Sequence, residues 1–301
     1  MNEGINHTAS FINNQKSVAI VTESVSQLPA GMAHQLDITV IPMTIVIDGK
    51  PYLDSIDLTP KEIYHRMQSE MVVPTSTAPT PAQYQEAFTA QLLNGHKSVL
   101  CITLSSKLSR CYSSACLAAE KVCSEFPECS IEVLDSRKAA IAQGFVAIRA
   151  AEAANQAKSL PEVLQAAREA CRHTNIVATL DTLEYLERGG RIGKLTYMLG
   201  SLIDIKPVLT IDIEGNLGTL RKVRDENQSL EAIVDQVIKD VDGRQQLHLA
   251  VIDADAPEQA AKLKELALAQ LHPDEIFESE LTPVMSVHAG PGTLGLGYYF
   301  T

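Results

Sequence analysis

The sequence contains no tryptophan, and aromatic residues supply only 5% of its 301 positions, so its cores must be built from aliphatic side chains. Positive charge is also scarce: 25 Lys and Arg stand against 37 Asp and Glu, for a formal net charge of −12 and a pI near 5.1. That balance excludes binding to nucleic acid or an anionic membrane through bulk electrostatics. No hydrophobic run approaches the ~20 residues of a membrane-spanning helix. The polar opening MNEGINHTASFINNQKS lacks the apolar core of a signal peptide. Both absences predict a soluble, cytoplasmic protein without membrane insertion. The six cysteines (Cys101, Cys111, Cys116, Cys123, Cys129 and Cys171) form no C-x-x-C pair and no zinc-like spacing. Reduced, packed thiols and no metal site are expected. Nor is there a G-x-S-x-G nucleophile elbow or a G-x-x-x-x-G-K-[ST] phosphate loop.

Glycine, by contrast, is concentrated at one place. Gly290, Gly292, Gly295 and Gly297 follow directly behind His288. Gly290-x-Gly292-x-x-Gly295 imitates a dinucleotide fingerprint, but the helix, second strand and distant acidic residue that the fingerprint requires do not follow it here. Dense glycine beside a histidine instead suggests a loop whose N–H groups and imidazole donate to an acidic ligand group. A glycine-rich corner with a packed histidine is the plainer alternative.

Along the chain, residues 1–16 read as a disordered extension. Apolar, β-branched strands at Ser17–Val21, Ile38–Ile47, Val99–Leu104 and Ile131–Leu134 alternate with helices. Thr59-Pro60-Lys61-Glu62 and Thr80-Pro81-Ala82-Gln83 are helix-start signatures. This alternation predicts an N-terminal α/β domain over 17–160 with a doubly wound, mainly parallel sheet. Polar loops at Thr22–Ser24, Ser105–Ser109 and Asp135-Ser136 follow strand ends, where such sheets bind ligands; each alone is also an ordinary turn or cap. Beyond residue 160 the character changes. Ser159-x-x-Glu162 caps a helix to about His173, Leu183–Arg188 is a short helix stopped by Gly189-Gly190, and a second apolar helix runs to Ile203. Strands at Ile205–Ile213 and Leu220–Arg224 form a hairpin. Asp255-x-x-Glu258 caps a further helix, and Glu275–Leu281 and Val284–His288 read as final strands. These elements predict a C-terminal α+β domain over 161–301 with a mixed or antiparallel sheet.

Several stretches together resemble the DegV family of bacterial fatty-acid-binding proteins. Thr22-Glu23-Ser24 is similar to its T-D-S, and Ser76-Thr77-Ala78-Pro79-Thr80-Pro81 to T-S-Q-P-S-P. Leu104–Ala115 resembles I-S-S-x-L-S-G-T-Y-x-S-A, and Asp135-Ser136 with Ala142-Gln143-Gly144-Phe145 a further block. Leu183–Ile192 fits L-E-Y-L-x-x-G-G-R-I, Ile205–Leu209 fits I-K-P-I-L, and the final loop fits H-x-G-x-G-x-L-G. The resemblance implies a non-enzymatic subunit whose C-terminal domain binds lipid. It would hold one long-chain fatty acid as ligand, without cofactor or metal, its carboxylate at the domain junction. The acid would be presented to a separate fatty acid kinase that makes acyl-phosphate for phospholipid synthesis. By position, Ser76, Thr77, Ser109 and His288 would hold the carboxylate, and Arg191 would meet the incoming phosphoryl group or the partner.

Three departures stand out: Glu23 for the family's Asp, Ala78 for Gln, and Arg110-Cys111 for Gly-Thr. The last changes the residue at a helix start and places a cation near the expected head group. Two rival readings differ in class. A serine hydrolase would pair a serine with His288 and an acid, acting on a lipid or ester. A sugar- or nucleotide-phosphate site would use Gly189-Gly190-Arg191 and Lys206, which otherwise read as a helix stop with solvated charges.

Overall fold

The structure, a computed structural model, describes residues 18–198, 205–244 and 246–301; the expected extension over 1–16 lies outside them. In chain order the first part comprises β1 (Val18–Glu23), α1 (Met32–Leu36), β2 (Ile38–Ile41), β3 (Thr44–Ile47), β4 (Lys50–Leu53), α2 (Pro60–Ser69), β5 (Thr75–Thr77), α3 (Pro81–Leu93), β6 (Ser98–Thr103), α4 (Cys111–Glu125), β7 (Ser130–Asp135) and α5 (Ile141–Asn155). The second comprises α6 (Leu160–His173), β8 (Thr174–Thr179), α7 (Glu184–Arg188), β9 (Lys206–Ile211), β10 (Leu217–Val223), α8 (Glu226–Val241), β11 (Leu247–Asp253), α9 (Pro257–Leu271), β12 (Glu275–Glu280), α10 (Pro283–Ala289) and β13 (Leu294–Phe300).

The fold is mixed α/β. A four-stranded sheet of order β2-β1-β6-β7 is parallel throughout. A small antiparallel sheet, β4-β3-β5, stands beside it. The second half builds a six-stranded mixed sheet, β10-β9-β8-β13-β11-β12, in which only β11 and β12 run parallel. Helix α5 packs on β1 and β6 with one face and on β8 and β13 with the other. Twelve of its fifteen residues are buried, and the alanine-rich sequence suits it to this place, because small side chains let both sheets approach.

The helix starts follow the sequence: Thr59, Thr80 and Ser159 each form the reciprocal capping box, with proline in the first turn. Four local expectations need correction. Ile38–Ile47 is two strands in two sheets, because Pro42 has no N–H to give to a ladder. Val284–His288 is helical, not a strand; the Thr282-Pro283 start, the same signal as at Thr59 and Thr80, outweighs the β-propensity of its valines. Asp255 does not cap α9: Ala256 is the N-cap, and Asp253 accepts from its N–H at 3.1 Å. Gly193–Met198 is a 3-10 helix, and the remainder of the apolar helix expected to Ile203 lies outside the described residues.

The polar residues at the end of β1 turn inward. Glu23 is fully buried and accepts from Tyr84 Oη at 2.5 Å, Gln143 Nε2 at 2.7 Å and the Leu104 N–H at 3.1 Å. Gln143 also donates to Thr22 Oγ1, whose own hydroxyl donates to the Ile102 carbonyl, both at 2.9 Å. Strands β1 and β6 and helices α3 and α5 are thereby tied around one carboxyl. Burial raises its pKa above the usual carboxylate range, although the three donors oppose the shift. A raised folded-state pKa means that its contribution is complete below the unfolded value of about 4.5 and declines as pH rises through the folded value. Glu23→Gln, which can keep the same contacts without the charge, is therefore expected to gain stability relative to wild type as pH rises from 5 to 8. Urea unfolding of both proteins at several pH values reads this out, and a pH-independent difference would contradict it.

Candidate functional site

A cavity lies beyond the start of α5, between the parallel sheet, β5, α10 and the β8–β10 part of the mixed sheet. Its cavity volume is about 130 Å³, and about 940 Å³ when the open mouth is included. Its wall is overwhelmingly aliphatic, with Val25, Leu104, Ile176, Leu180, Leu209 and Ile252 among the side chains. Six lining residues carry polar side-chain groups: Ser76, Ser109, Arg191, Thr210, His288 and Thr293. Two of these are committed elsewhere. Thr210 Oγ1 donates to the Ile176 carbonyl at 2.8 Å, and Thr293 Oγ1 to the Ala289 carbonyl at 2.9 Å.

The other four are linked into one arc. Ser76 Oγ lies 2.7 Å from His288 Nε2. The opposite edge of that ring packs on Gly189, where a Cβ would overlap Nδ1. Arg191 Nη1 donates to the Gly189 carbonyl at 2.5 Å, and its Nε to the Leu108 carbonyl at 3.2 Å, beside Ser109. Ser109 Oγ accepts from the Cys111 N–H at 3.4 Å and lies 3.2 Å from its thiol. Arg191 makes no ion pair among the described residues; its charge meets only carbonyls and the cavity. His288 Nδ1 is buried and has no hydrogen-bond partner among the described residues. Burial first, and the Arg191 charge second, lower the His288 pKa to about 4. The imidazole is thus neutral at physiological pH. Its closed Nδ1 edge leaves Nε2 as the position through which it can act on a ligand.

Thr77 does not join the arc. It is exposed and absent from the cavity wall, because neighbouring residues of a strand point to opposite faces. The glycine loop also differs from expectation. Gly290 and Gly292 donate their N–H groups to the Ser286 and Ala254 carbonyls at 2.9 and 2.7 Å, so neither N–H is free for a ligand. Gly295 and Gly297 are in β13, in register with β8 and β11. Their role is close packing: a Cβ on Gly297 would overlap Ile141 of α5. Arg110 takes φ −91°, an ordinary angle for a non-glycine residue, and stays exposed outside the cavity wall. Of the strand-end loops, Ser24, Ser105 and Ser136 are buried and bonded to backbone. The contact of Gly189 with His288 has no sequence signal, since residues 99 apart meet only in the fold. Lys206 pairs with Asp181 at 2.6 Å rather than with the Gly189–Arg191 turn. Among the described residues, no group of three or more His, Cys, Asp or Glu could hold a metal ion, and no helix is long and apolar enough to cross a membrane.

Comparison with known proteins agrees with this architecture. The model of the DegV family, whose description reads "Uncharacterised protein, DegV family", matches residues 17–301. A DegV domain-containing protein of Clostridium acetobutylicum is 30% identical over 283 residues, 94% of this chain and 98% of its own. Among solved structures, a DegV family protein of Thermus thermophilus, described for its fatty acid binding, is 31% identical with a TM-score of 0.87. That match covers 95% of this chain and 100% of the other. DegV of Bacillus subtilis, described as a fatty acid binding protein, is 29% identical with a TM-score of 0.85 over 95% and 100% of the two chains. The chain belongs to the DegV family.

The depressed His288 pKa has a direct consequence. Between the model-peptide value of 6.5 and about 4 the unfolded chain holds a proton that the folded one does not, so His288 destabilises the fold progressively as pH falls through that window. The full effect is about 3 kcal/mol, at ~1.36 kcal/mol per pKa unit. NMR titration of the histidine side chains is expected to show one ring with a midpoint near 4. In Gly189→Ala, whose methyl displaces that ring, the midpoint is expected to move upward. An unchanged midpoint would show that the ring does not depend on Gly189.

Proposed function

We propose that this chain binds one long-chain fatty acid, with its tail in the aliphatic cavity and its carboxylate against Ser76, Ser109 and His288. The observation that carries the reading is the cavity itself: an apolar volume whose uncommitted polar groups form a single arc. An alkyl chain with one charged end has that same polarity. With Nδ1 shut off, the tautomer carrying its proton on Nε2 donates to Ser76 Oγ and leaves the serine hydroxyl proton free for a carboxylate oxygen. Ser109, next to the first turn of α4, offers a second hydroxyl. Arg191 supplies the compensating charge at the rim, where it would also meet an incoming phosphoryl group. Fatty acid binding described for the Thermus and Bacillus relatives supports the assignment.

In this reading the chain is a carrier rather than a complete enzyme. It contains no phosphate-binding loop of its own, and the bound acid is handed to a separate ATP-dependent kinase that forms acyl-phosphate for phospholipid synthesis. A hydrolase is the second reading, favoured by one observation, the 2.7 Å contact between Ser76 and His288. Two facts weigh against it. A conjugate acid near 4 makes His288 a weak base at neutral pH, and no carboxylate meets Nδ1 to orient the ring.

Burying about 14 methylenes at ~0.8 kcal/mol each is a gross gain of roughly 11 kcal/mol, before the ordering costs of association. Native mass spectrometry before and after solvent extraction is therefore expected to reveal a bound fatty acid. Unmodified mass together with no uptake of labelled palmitate or oleate would sink the reading. Ser76→Ala and Ser109→Ala each remove one hydrogen bond to a charged group, about 1.5–3 kcal/mol, and His288→Ala removes the donor that orients Ser76 Oγ. They are expected to lose acyl-phosphate formation in a kinase-coupled assay more than they lose lipid. Labelling of Ser76 by a fluorophosphonate would move the assignment to the hydrolase.

A further inference from the structure

A second cleft lies on the other side of Ile211, which lines both spaces. It is bounded by the β7–α5 loop, α6, the start of β8, the tip of the β9–β10 hairpin and the end of β13. With its open mouth it holds about 1,460 Å³. Its ionisable wall contains Arg137, Lys138, Arg168 and Arg172 against two carboxylates, Asp135 and Asp240. This excess of cations sits on a protein of net charge −12, so it is a local feature and not the general surface.

Both carboxylates are engaged. Asp135 Oδ1 accepts from the N–H groups of Ser106 and Arg137 at 3.2 and 3.0 Å. Asp240 accepts from Gln236 at 2.8 Å and from the Tyr298 hydroxyl. The neutral donors of the wall are engaged as well: Ser136 and Thr174 hydroxyls each donate to a backbone carbonyl at 2.7 Å, and Asn175 Nδ2 to the Ile211 carbonyl at 3.2 Å. Two of the four cations are not. Arg172 pairs with Glu169 on the exposed side of α6, and Arg137 reaches only the Ile213 carbonyl at 3.4 Å. Arg168 and Lys138 have no side-chain hydrogen bond or ion pair among the described residues. Lys138 is the decisive residue, because it is only 8% exposed. Its stem is packed away while the ammonium faces the cleft, and a cation held where little bulk water can screen it favours an anionic partner. Burial lowers its pKa, and the Asp240 carboxylate only partly opposes this.

We propose that this cleft binds a phosphate-bearing metabolite carrying at least two negative charges, with Lys138 and Arg168 as its principal ligands and Arg137 at the rim. Phosphate oxygens match an arginine fork and a lysine point charge. Because the neutral donors are already used, selectivity rests on ligand charge. The buried wall formed by Tyr298 and Phe300 leaves room beside the phosphate for an organic group. This site is independent of the fatty acid reading, since neither Lys138 nor Arg168 lines the aliphatic cavity.

Isothermal titration and thermal unfolding with pyrophosphate, AMP and inorganic phosphate, at matched ionic strength in chloride, test the assignment. Pyrophosphate or AMP is expected to bind and to raise Tm. Tighter binding of AMP than of inorganic phosphate would assign a role to the organic group. Lys138→Met and Arg168→Gln are each expected to weaken binding by about tenfold or more, the loss of one charge-assisted contact. Lys138→Met should also raise Tm in the absence of anion, because it relieves the desolvation that lowers the Lys138 pKa. Far-UV circular dichroism reports that each variant is folded. No binding by any of the three anions, or binding that both variants leave unchanged, would overturn the proposal.

Discussion

The constraint on which the rest of the molecule depends is the burial of α5 on both faces. A helix clasped between two sheets must present small side chains in two directions, and those sheets must accommodate its backbone. Gly144 lies against the Ser26 carbonyl on one side, and Gly297 of β13 receives Ile141 on the other. Methyl groups at either position would force the layers apart. The largest hydrophobic cluster accordingly joins β1 and α5 to Leu281, Val284 and Tyr299 from the second half of the chain. The aliphatic cavity opens where this close packing ends, at Ala139 and Ala140 just before the helix.

Polar groups are divided by that packing into two populations. Those at the ends of the parallel strands, Thr22, Glu23 and Gln143 foremost, satisfy one another inside the core. They hold elements in register and do not reach the cavity. Ser76, Ser109, His288 and Arg191 form the other population, on β5, the α4 approach, α10 and the turn after α7. Their positions are fixed by backbone contacts, notably the two carbonyls that hold the Arg191 guanidinium. A neutral histidine, two hydroxyls and one arginine suit a single carboxylate, because a denser cluster of cations would resist burial in an apolar wall.

Electrostatics is correspondingly local. A net charge of −12 sets the long-range field, but Arg191 in one space and Lys138 with Arg168 in another are cations without carboxylate partners among the described residues. Their significance depends on burial, since the same groups on an open surface would be screened by water and salt.

Element types are legible in the residues wherever local chemistry is strong. The capping boxes at Thr59, Thr80 and Ser159 started helices, and the alternation of strand and helix led to a parallel sheet followed by a mixed one. Ordered motifs also indicated the family. Only tertiary structure decided which polar residues share a wall. Ser76 and His288 are 212 residues apart and touch, while Thr77, adjacent to Ser76, faces away. It also decided that the four terminal glycines serve close packing and internal hydrogen bonds. Composition cannot distinguish a glycine that exposes its N–H from one that makes room for a neighbour, because the difference resides in the atoms that arrive from elsewhere in the chain.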